Sequence, residues 1–550
     1  MKRKLAIVLS FLLILSLAAC GKDNAGSKSE GAGTQGSAAA STSGSDQTEE
    51  EQAKEPTVEA GPEEAKLVIE KGLTDWVTTN LAAFYDTYGK DGSEYSKDAK
   101  PYVVFDFDNT CSIFDVEEQL AVYQLLHMAF AFTPEEAEGI LMSEVPADTV
   151  VESDADYLQS GENSELTYNN WAKDCAGAYA NLYEKYEITA AGIKDEAMLE
   201  QLHEDGDWKE FSAKMRAMYD VIYDNLSADI AYPWVLYWFT GMTEQEVYDL
   251  AYASHTFFGA RDFVWHKETF ASPEDYVSTL GPATYTWNYG ITVDPEIVTI
   301  YKDLKEHGFD VYVCSASFID VIRAGVDAFG LADYCDGVIA MTLKLEGGVY
   351  QPAYDYEAGY SYWRADGAWI KGDVATQAQT QGIGKVTAVS NVLCSKYGYG
   401  PSAGFMDSTG DFNFCTEYGD LKLVLTFNRL RKATDGGGII QCVAMKQEAD
   451  GVDLAKANGM GDVLYLVNGR DENGGYLIKD QGCIPLEKDY MLFKNENIEK
   501  LYDWYLTSDL SVGDFIDKTA IKTKADDAGN DTGCDYGFLK EYGGYRNIVF

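Results

Sequence analysis

The chain has 550 residues, 43 Lys+Arg against 90 Asp+Glu, a formal net charge of −47 at pH 7 and 46% hydrophobic residues. So acidic a surface repels nucleic acid and anionic membrane, which excludes both as principal partners, while it attracts cationic groups and divalent ions. The roughly 485 residues beyond a low-complexity N-terminal stretch suffice for two or three domains, or for one large domain with insertions.

Lys2, Arg3 and Lys4 give the N-terminus a positive start, and the apolar run from Leu5 to Leu17 is too short to span a bilayer comfortably. It ends in Leu17-Ala18-Ala19-Cys20, which resembles a bacterial lipobox. That resemblance implies a lipoprotein signal peptide over residues 1–19. Cys20 would then become the lipidated first residue, anchoring the protein extracytoplasmically on the outer face of the cytoplasmic membrane. Removing those residues takes away three basic side chains and no acidic one, so the mature charge is about −50. Residues 20–65 are rich in Gly, Ser, Ala, Thr and Glu with almost no large apolar side chain, and read as a flexible linker.

Tyr102-Val103-Val104-Phe105 reads as a short buried parallel strand, and Asp106-Phe107-Asp108-Asn109-Thr110 follows it directly. Two carboxylates at the end of a buried strand are costly unless they do chemistry or hold a metal, and strand ends are where open α/β sheets keep their active sites. Asp115 to Glu118 has the spacing of a capping box and opens a helix over Val116–Phe130. About 170 mostly helical residues follow, with starts at Thr133-Pro134-Glu135 and Thr243–Glu246, and with aromatics such as Trp171, Trp208, Tyr232, Trp238 and Trp265.

Strand and helix alternation resumes at Asp294-Pro295-Glu296, an N-cap with a first-turn proline. Phe309–Cys314 reads as a second buried strand, ending in Ser315-Ala316-Ser317, with a helix over Phe318–Phe329. Val338–Leu345 and Gly347–Tyr350 suggest a hairpin, leading into an aromatic insert from Tyr354 to Trp369. Gly382-Ile383-Gly384-Lys385 opens a helix over Val386–Tyr397. A strand over Ala403–Met406 ends in Asp407-Ser408-Thr409-Gly410-Asp411, and Leu421–Phe427 reads as a further strand. Beyond 430 the chain is rich in Gly and Tyr, with one helix expected at Ile498–Leu506. This order implies an α/β fold, a Rossmann-like doubly wound parallel sheet with right-handed crossovers. The expected core covers 66–115 and 290–430, a helical insertion 116–289, and a C-terminal extension packed on the core 431–550.

Four strand ends or helix starts carry the suggestive groups: Asp106 and Asp108, Ser315, Lys385, and Asp407 with Asp411. If the strands are neighbours, these converge on one edge of the sheet. Two acidic pairs suit Mg²⁺, which prefers carboxylate oxygens, water and substrate phosphate, and a lysine with a serine hydroxyl supplies donors to phosphoryl oxygens. Besides Cys20, the cysteines Cys111, Cys175, Cys314, Cys335, Cys394, Cys415, Cys442, Cys483 and Cys534 show no CxxC spacing. Several sit in apolar runs and read as buried thiols, while Cys442, Cys483 and Cys534 remain open to pairing. His127, His203, His255, His266 and His307 are scattered without ligand spacing, which argues against zinc.

Over about residues 100–430 the chain resembles the haloacid-dehalogenase-like phosphohydrolases, in their phosphoserine-phosphatase-like branch. The segment Asp106 to Thr110 matches the first motif, Val313-Cys314-Ser315-Ala316-Ser317 the second, Gly384-Lys385 the third and Asp407 to Asp411 the fourth. The resemblance implies that Asp106 attacks phosphorus to give an aspartyl-phosphate, and that Asp108 protonates the leaving alcohol and then activates water. Ser315, Ala316 and Lys385 would contact the phosphoryl group. Asp106, the Asp108 backbone carbonyl and Asp407 would ligate Mg²⁺, with Asp411 in support. An acid at Asp108 argues against the dehalogenase branch. The family has Gly before the aspartate of the fourth motif, whereas Met406 stands here.

The helical insertion matches the family's cap in position, and a cap of this size closes over a small phosphomonoester. Asp115 lies nine residues after Asp106, where phosphoserine phosphatases of the family carry an acid that meets the substrate amine; it reads equally as the N-cap of its helix. Phe105 to Leu120 is also similar to the bacterial secreted phosphorylcholine phosphatases. An aromatic-rich cap suits a quaternary ammonium, worth ~1–2 kcal/mol per ring. The expectation is a Mg²⁺-dependent phosphomonoesterase acting on a small extracellular amino-alcohol phosphate, phosphocholine first. Phosphoserine or phosphoethanolamine, and a non-catalytic ligand-binding lipoprotein on the same fold, are the alternatives. No protein partner is expected.

Overall fold

Alternate side chains of Tyr102–Phe105 enter two different cores, Val103 and Phe105 on one face of a sheet and Tyr102 and Val104 on the other. A strand covered on both faces needs four apolar residues in a row, which is what the sequence supplies. The computed structural model describes residues 69–146, 166–259, 266–372, 374–433, 435–525, 545, 546 and 548. The expected signal peptide, Cys20, the expected linker, Trp265 and Cys534 lie outside these residues. Among the described residues no helix is long and apolar enough to cross a membrane.

The fold is α/β, built on one ten-stranded, mostly parallel sheet flanked by helices. Its strands are β1 (Tyr102–Phe105), β2 (Asp310–Phe318), β3 (Gly337–Met341), β4 (Ser361–Ala365), β5 (Ala368–Lys371), β6 (Ala403–Met406), β7 (Leu423–Phe427), β8 (Leu464–Asp471), β9 (Tyr476–Ile478) and β10 (Cys483–Ile484). They lie in the order β5-β4-β3-β2-β1-β6-β7-β8-β9, with β10 beside β8. The six from β3 to β8 run parallel; β4, β5 and β9 are antiparallel edges. β1 is central, flanked by β2 and β6, with Phe105 opposite Val313 and Phe405. The Phe105 and Phe405 rings stack at 3.7 Å.

Four expectations change. β8 pairs with β7 over five residues, so the boundary drawn at 430 falls inside the sheet and the C-terminal part completes the core. The aromatic insert is the antiparallel edge pair β4–β5, turned by Asp366-Gly367, both at positive φ, as a tight two-residue hairpin requires. The hairpin expected at 338–350 is Leu343–Glu346 with Val349–Tyr354, while the preceding residues form β3 of the main sheet. The helix Val116–His127 ends three residues early because Met128 turns left-handed at φ 49°.

Between β1 and β2 the chain makes helices including Tyr168–Lys185, Gly206–Asn225, Ala228–Leu236 and Glu244–Gly259, and then an antiparallel hairpin, His266–Ala271 with Thr284–Tyr289, which the helical expectation missed. Thr133 and Thr243 cap their helices as expected. All eight described cysteines are buried free thiols, so Cys442 and Cys483 are not disulfide-linked.

Candidate active site

The carboxyl ends of β1, β2, β6 and β7 open at the same edge of the sheet, and each delivers charged or hydroxyl side chains there. Asp106 follows β1, its N–H donating to the Phe405 carbonyl at 3.0 Å. The turn behind it is closed by three N–H groups, of Thr110, Cys111 and Ser112, on the Phe107 carbonyl. Asn109 sits at φ 62°, a conformation that Asn tolerates better than most residues. Phe107 is buried, so the residues on either side of it, Asp106 and Asp108, are turned to the sheet edge.

Both oxygens of Asp106 are engaged: Oδ1 accepts from Lys385 Nζ at 2.5 Å and Oδ2 from the Thr110 hydroxyl at 3.0 Å. Lys385 stands in the first turn of the helix Ile383–Val389 and also donates to Asp411 Oδ1 at 2.5 Å. The Gly382 N–H bonds the Gly410 carbonyl at 2.9 Å and so ties the lysine's loop to the loop after β6. Asp411 Oδ2 accepts from the Asp407 and Ser408 N–H groups, capping its own helix, Thr409–Thr416. Carboxylate oxygens of Asp106, Asp407 and Asp411 lie within 4.8 Å of one another. That all-oxygen set fits a hard divalent cation such as Mg²⁺ better than zinc. Met406 is fully buried in the core beneath the helices that carry Lys385 and Asp411.

Asp108 is held differently. Its Oδ1 accepts the Val116 N–H at 2.7 Å, and its Oδ2 accepts the hydroxyls of Ser317 at 2.7 Å and Ser315 at 3.1 Å. Ser315 thus holds the acid together with Ser317, its neighbour in the same motif, which was not singled out in the sequence. Ala316 is the only residue of 311–318 that is not buried. Asp115 is the N-cap of its helix, its Oδ1 accepting the Glu117 and Glu118 N–H groups at 2.9 Å. Together Asp108 and Asp115 cap the first three N–H groups of that helix. Glu117 reaches across to the Phe318 N–H at 2.9 Å.

Burial pushes Asp108 up to about 8 and Asp106 to about 6, the latter against the pull of Lys385. Burial also raises Asp411, to about 8, with Asp106 repelling it, while Lys385 is held charged above its ordinary value by the two carboxylates. Asp407 goes the other way. Burial acts to raise it, but Arg431 and Arg429 outweigh that and hold it at about 2.

Those arginines had no counterpart in the sequence reading. Arg431 Nη2 and Arg429 Nη1 both donate to Asp407 Oδ2, at 2.7 and 3.1 Å. Their signal was available: Arg429-Leu430-Arg431 stands just past the end of β7, at the same sheet edge. Arg470, near the end of β8, is also fully buried and donates to the Asn109 carbonyl at 3.1 Å and its Oδ1 at 3.2 Å, while pairing with Glu472 at 2.6 Å. It locks the left-handed turn behind Asp106. Arg470→Met is expected to cost about 3–5 kcal/mol in a chemical denaturation curve, since it strands Glu472 and two Asn109 acceptors; a loss below 1 kcal/mol would show that the lock carries no weight.

Above Asp108 the insertion brings aromatic and charged groups. Tyr223 and Tyr232 rings lie 5.8 Å apart, both partly exposed. Burial, then Tyr223, Asp115 and Glu118, push Tyr232 well above its ordinary value. Burial lifts Asp115 and Glu118 themselves to about 7. Arg216, stacked 3.8 Å over Trp287, lies 3.9 Å from Glu118. A separate cleft of about 660 Å³, lined by residues including His127, His203, Trp208 and Glu268, contains none of the strand-end groups.

No protein-family model matches the chain, and no curated protein is similar to it. A solved structure of a conserved protein of unknown function from Anaerococcus prevotii DSM 20548 is similar, at 24% identity and a TM-score of 0.58, over 76% of this chain and 98% of that one. A protein of unknown function from Bordetella pertussis Tohama I aligns at 11% identity and a TM-score of 0.29, over 64% of this chain and 97% of that one. The first of these shows the fold: an α/β sheet of mostly parallel strands with helices on its faces.

Proposed function

We propose that this chain is a Mg²⁺-dependent phosphomonoesterase of the haloacid-dehalogenase-like kind, working through an aspartyl-phosphate on a small amino-alcohol phosphate, with phosphocholine as the first substrate to test. The observation that carries the reading is Lys385 bridging Asp106 and Asp411, with an oxygen of Asp407 inside the same 4.8 Å set. Four residues separated by up to 305 positions meet there, and that combination serves phosphoryl transfer better than it serves stability, since buried charges are costly to gather.

In the first step an Asp106 carboxylate oxygen forms a bond to phosphorus while the bond from phosphorus to the alcohol oxygen breaks. Asp108 gives its proton to the departing oxygen. In the second step water attacks phosphorus, Asp108 takes a proton from it, and the Asp106–phosphorus bond breaks to release inorganic phosphate. Thr110 and Lys385 fix the nucleophile's orientation, and Lys385 offers positive charge to the phosphoryl oxygens. Bound through Asp106, Asp407 and the Asp108 backbone, Mg²⁺ would supply charge neutralisation for the transferring group. Ser315 and Ser317 keep Asp108 aimed, and the helical insertion acts as the cap that excludes water.

The amino-alcohol part of the reading is supported by Asp115, Glu118 and the rings of Tyr223 and Tyr232 above Asp108, a mix of carboxylates and aromatic faces that suits an organic cation. Release of p-nitrophenol from p-nitrophenyl phosphate is expected to require Mg²⁺, to stop with EDTA and to return with added Mg²⁺. Choline is expected to inhibit at concentrations where serine does not. Inhibition by serine alone would shift the substrate to phosphoserine, and phosphate binding without hydrolysis would leave a ligand-binding lipoprotein.

A further inference from the structure

Six charged side chains meet at the strand ends in equal numbers of each sign. Asp106 and Asp411 share the Lys385 ammonium at 2.5 Å, and Asp407 carries Arg431 at 2.7 Å and Arg429 at 3.1 Å. All six side chains are 13% exposed or less. The arginines are aimed by a pinned loop. Asn428 donates to the Gln481 and Leu492 carbonyls at 2.8 and 3.0 Å and accepts the Leu430 N–H at 2.8 Å, with Leu430 turned to φ 59° between the two guanidiniums. Further acids stand outside this set. Asp435 lies 3.9 Å behind Arg431, and Asp115 and Glu118 feel the charge of Arg429, but none of the three belongs to the 4.8 Å group of ligand oxygens.

With all six ionised the groups balance, three carboxylates against three cations, and Asp108 beside Asp106 and Arg470 beside Asp407 add one charge of each sign. A divalent cation entering alone unbalances a buried, weakly screened site, and so does a phosphate dianion entering alone; the two together do not. We propose that Arg429 and Arg431 are positioning residues that hold Asp407 by one oxygen and balance the acidic set, so that a divalent cation and a phosphoryl dianion bind as a pair, each tightening the other. This rests on the phosphomonoesterase reading above. It goes beyond it by giving the arginines a role in how the site fills. By linkage, the factor by which phosphate tightens the metal must equal the factor by which the metal tightens phosphate.

The test uses Mn²⁺ in place of Mg²⁺, followed by electron paramagnetic resonance on the full-length protein in detergent, with inorganic phosphate as the anion. Saturating phosphate is expected to lower the Mn²⁺ dissociation constant about tenfold or more. In Arg431→Met and Arg429→Met, Mn²⁺ alone is expected to bind more tightly and phosphate more weakly, with the coupling falling below about threefold. Arg431→Lys, which keeps the charge, is expected to retain most of the coupling. A merely structural role would weaken Mn²⁺ with and without phosphate alike and leave the ratio unchanged. The same Mn²⁺ affinity with and without phosphate in an enzyme that hydrolyses p-nitrophenyl phosphate would overturn this inference alone. No Mn²⁺ binding and no hydrolysis would overturn it together with the functional reading.

Discussion

Asp106→Asn is expected to lower turnover of any phosphomonoester substrate by about 10⁴-fold or more, because it removes the carboxylate proposed above to form the bond to phosphorus. The substitution is close to isosteric. Thr110 still has an acceptor at that position, and Lys385 keeps Asp411 at 2.5 Å, so the fold should persist and circular dichroism should be unchanged. Loss of activity with loss of structure would say nothing about chemistry; loss with retained structure identifies the nucleophile. Rapid-quench trapping gives a second measure. The parent enzyme mixed with ³²P-labelled substrate should carry acid-stable, base-labile label, and the variant should carry none. Full activity in Asp106→Asn would sink the covalent route.

The second large effect belongs to Asp108, and it should depend on the leaving group. Asp108→Asn is expected to slow hydrolysis of an alkyl phosphate such as phosphocholine by about 10²–10⁴-fold, the usual worth of a positioned general acid. The release of p-nitrophenolate, which leaves without a proton, should be slowed far less in a burst experiment. The pH dependence follows from burial, which lifts Asp108 to about 8. An acid must be protonated to donate, so departure of an alkyl leaving group should fall as pH rises through about 8. For p-nitrophenyl phosphate the proton is still on Asp108 when water must be activated, so hydrolysis of its phosphoenzyme should rise over the same range. Parallel pH profiles for the two substrates would show that Asp108 is not the group that shuttles the proton. Ser315 and Ser317 are the control: both hydroxyls donate to Oδ2, so their removal should shift this profile.

Of its two readings, Asp115 is seen in the N-cap role. Its Oδ1 caps the helix Val116–His127, so a substitution there costs stability whatever the substrate. Any test of substrate contact at Asp115 therefore needs Asp115→Asn, which keeps an N-cap acceptor while removing the charge.

What the sequence determined by itself was the chemistry available at strand ends. Tyr102–Phe105, Val311–Cys314 and Ala403–Met406 are apolar runs bounded by Asp, Ser and Pro, so their type, burial and the polar residues behind them are local properties of the chain. Asp106, Asp108, Asp407 and Asp411 were readable for that reason, and Lys385 from the Gly382-Ile383-Gly384 start of its helix. The tertiary structure alone decided which partners they have. Strand order is set by packing between segments hundreds of residues apart, so nothing local says that β7 and β8 continue the sheet past β6, or that Arg429, Arg431 and Arg470 from their ends arrive at Asp407 and Asn109. The same holds for Ser315. Its position at the sheet edge is written in the sequence, but the hydrogen bond to Asp108 exists only because β2 and β1 lie side by side.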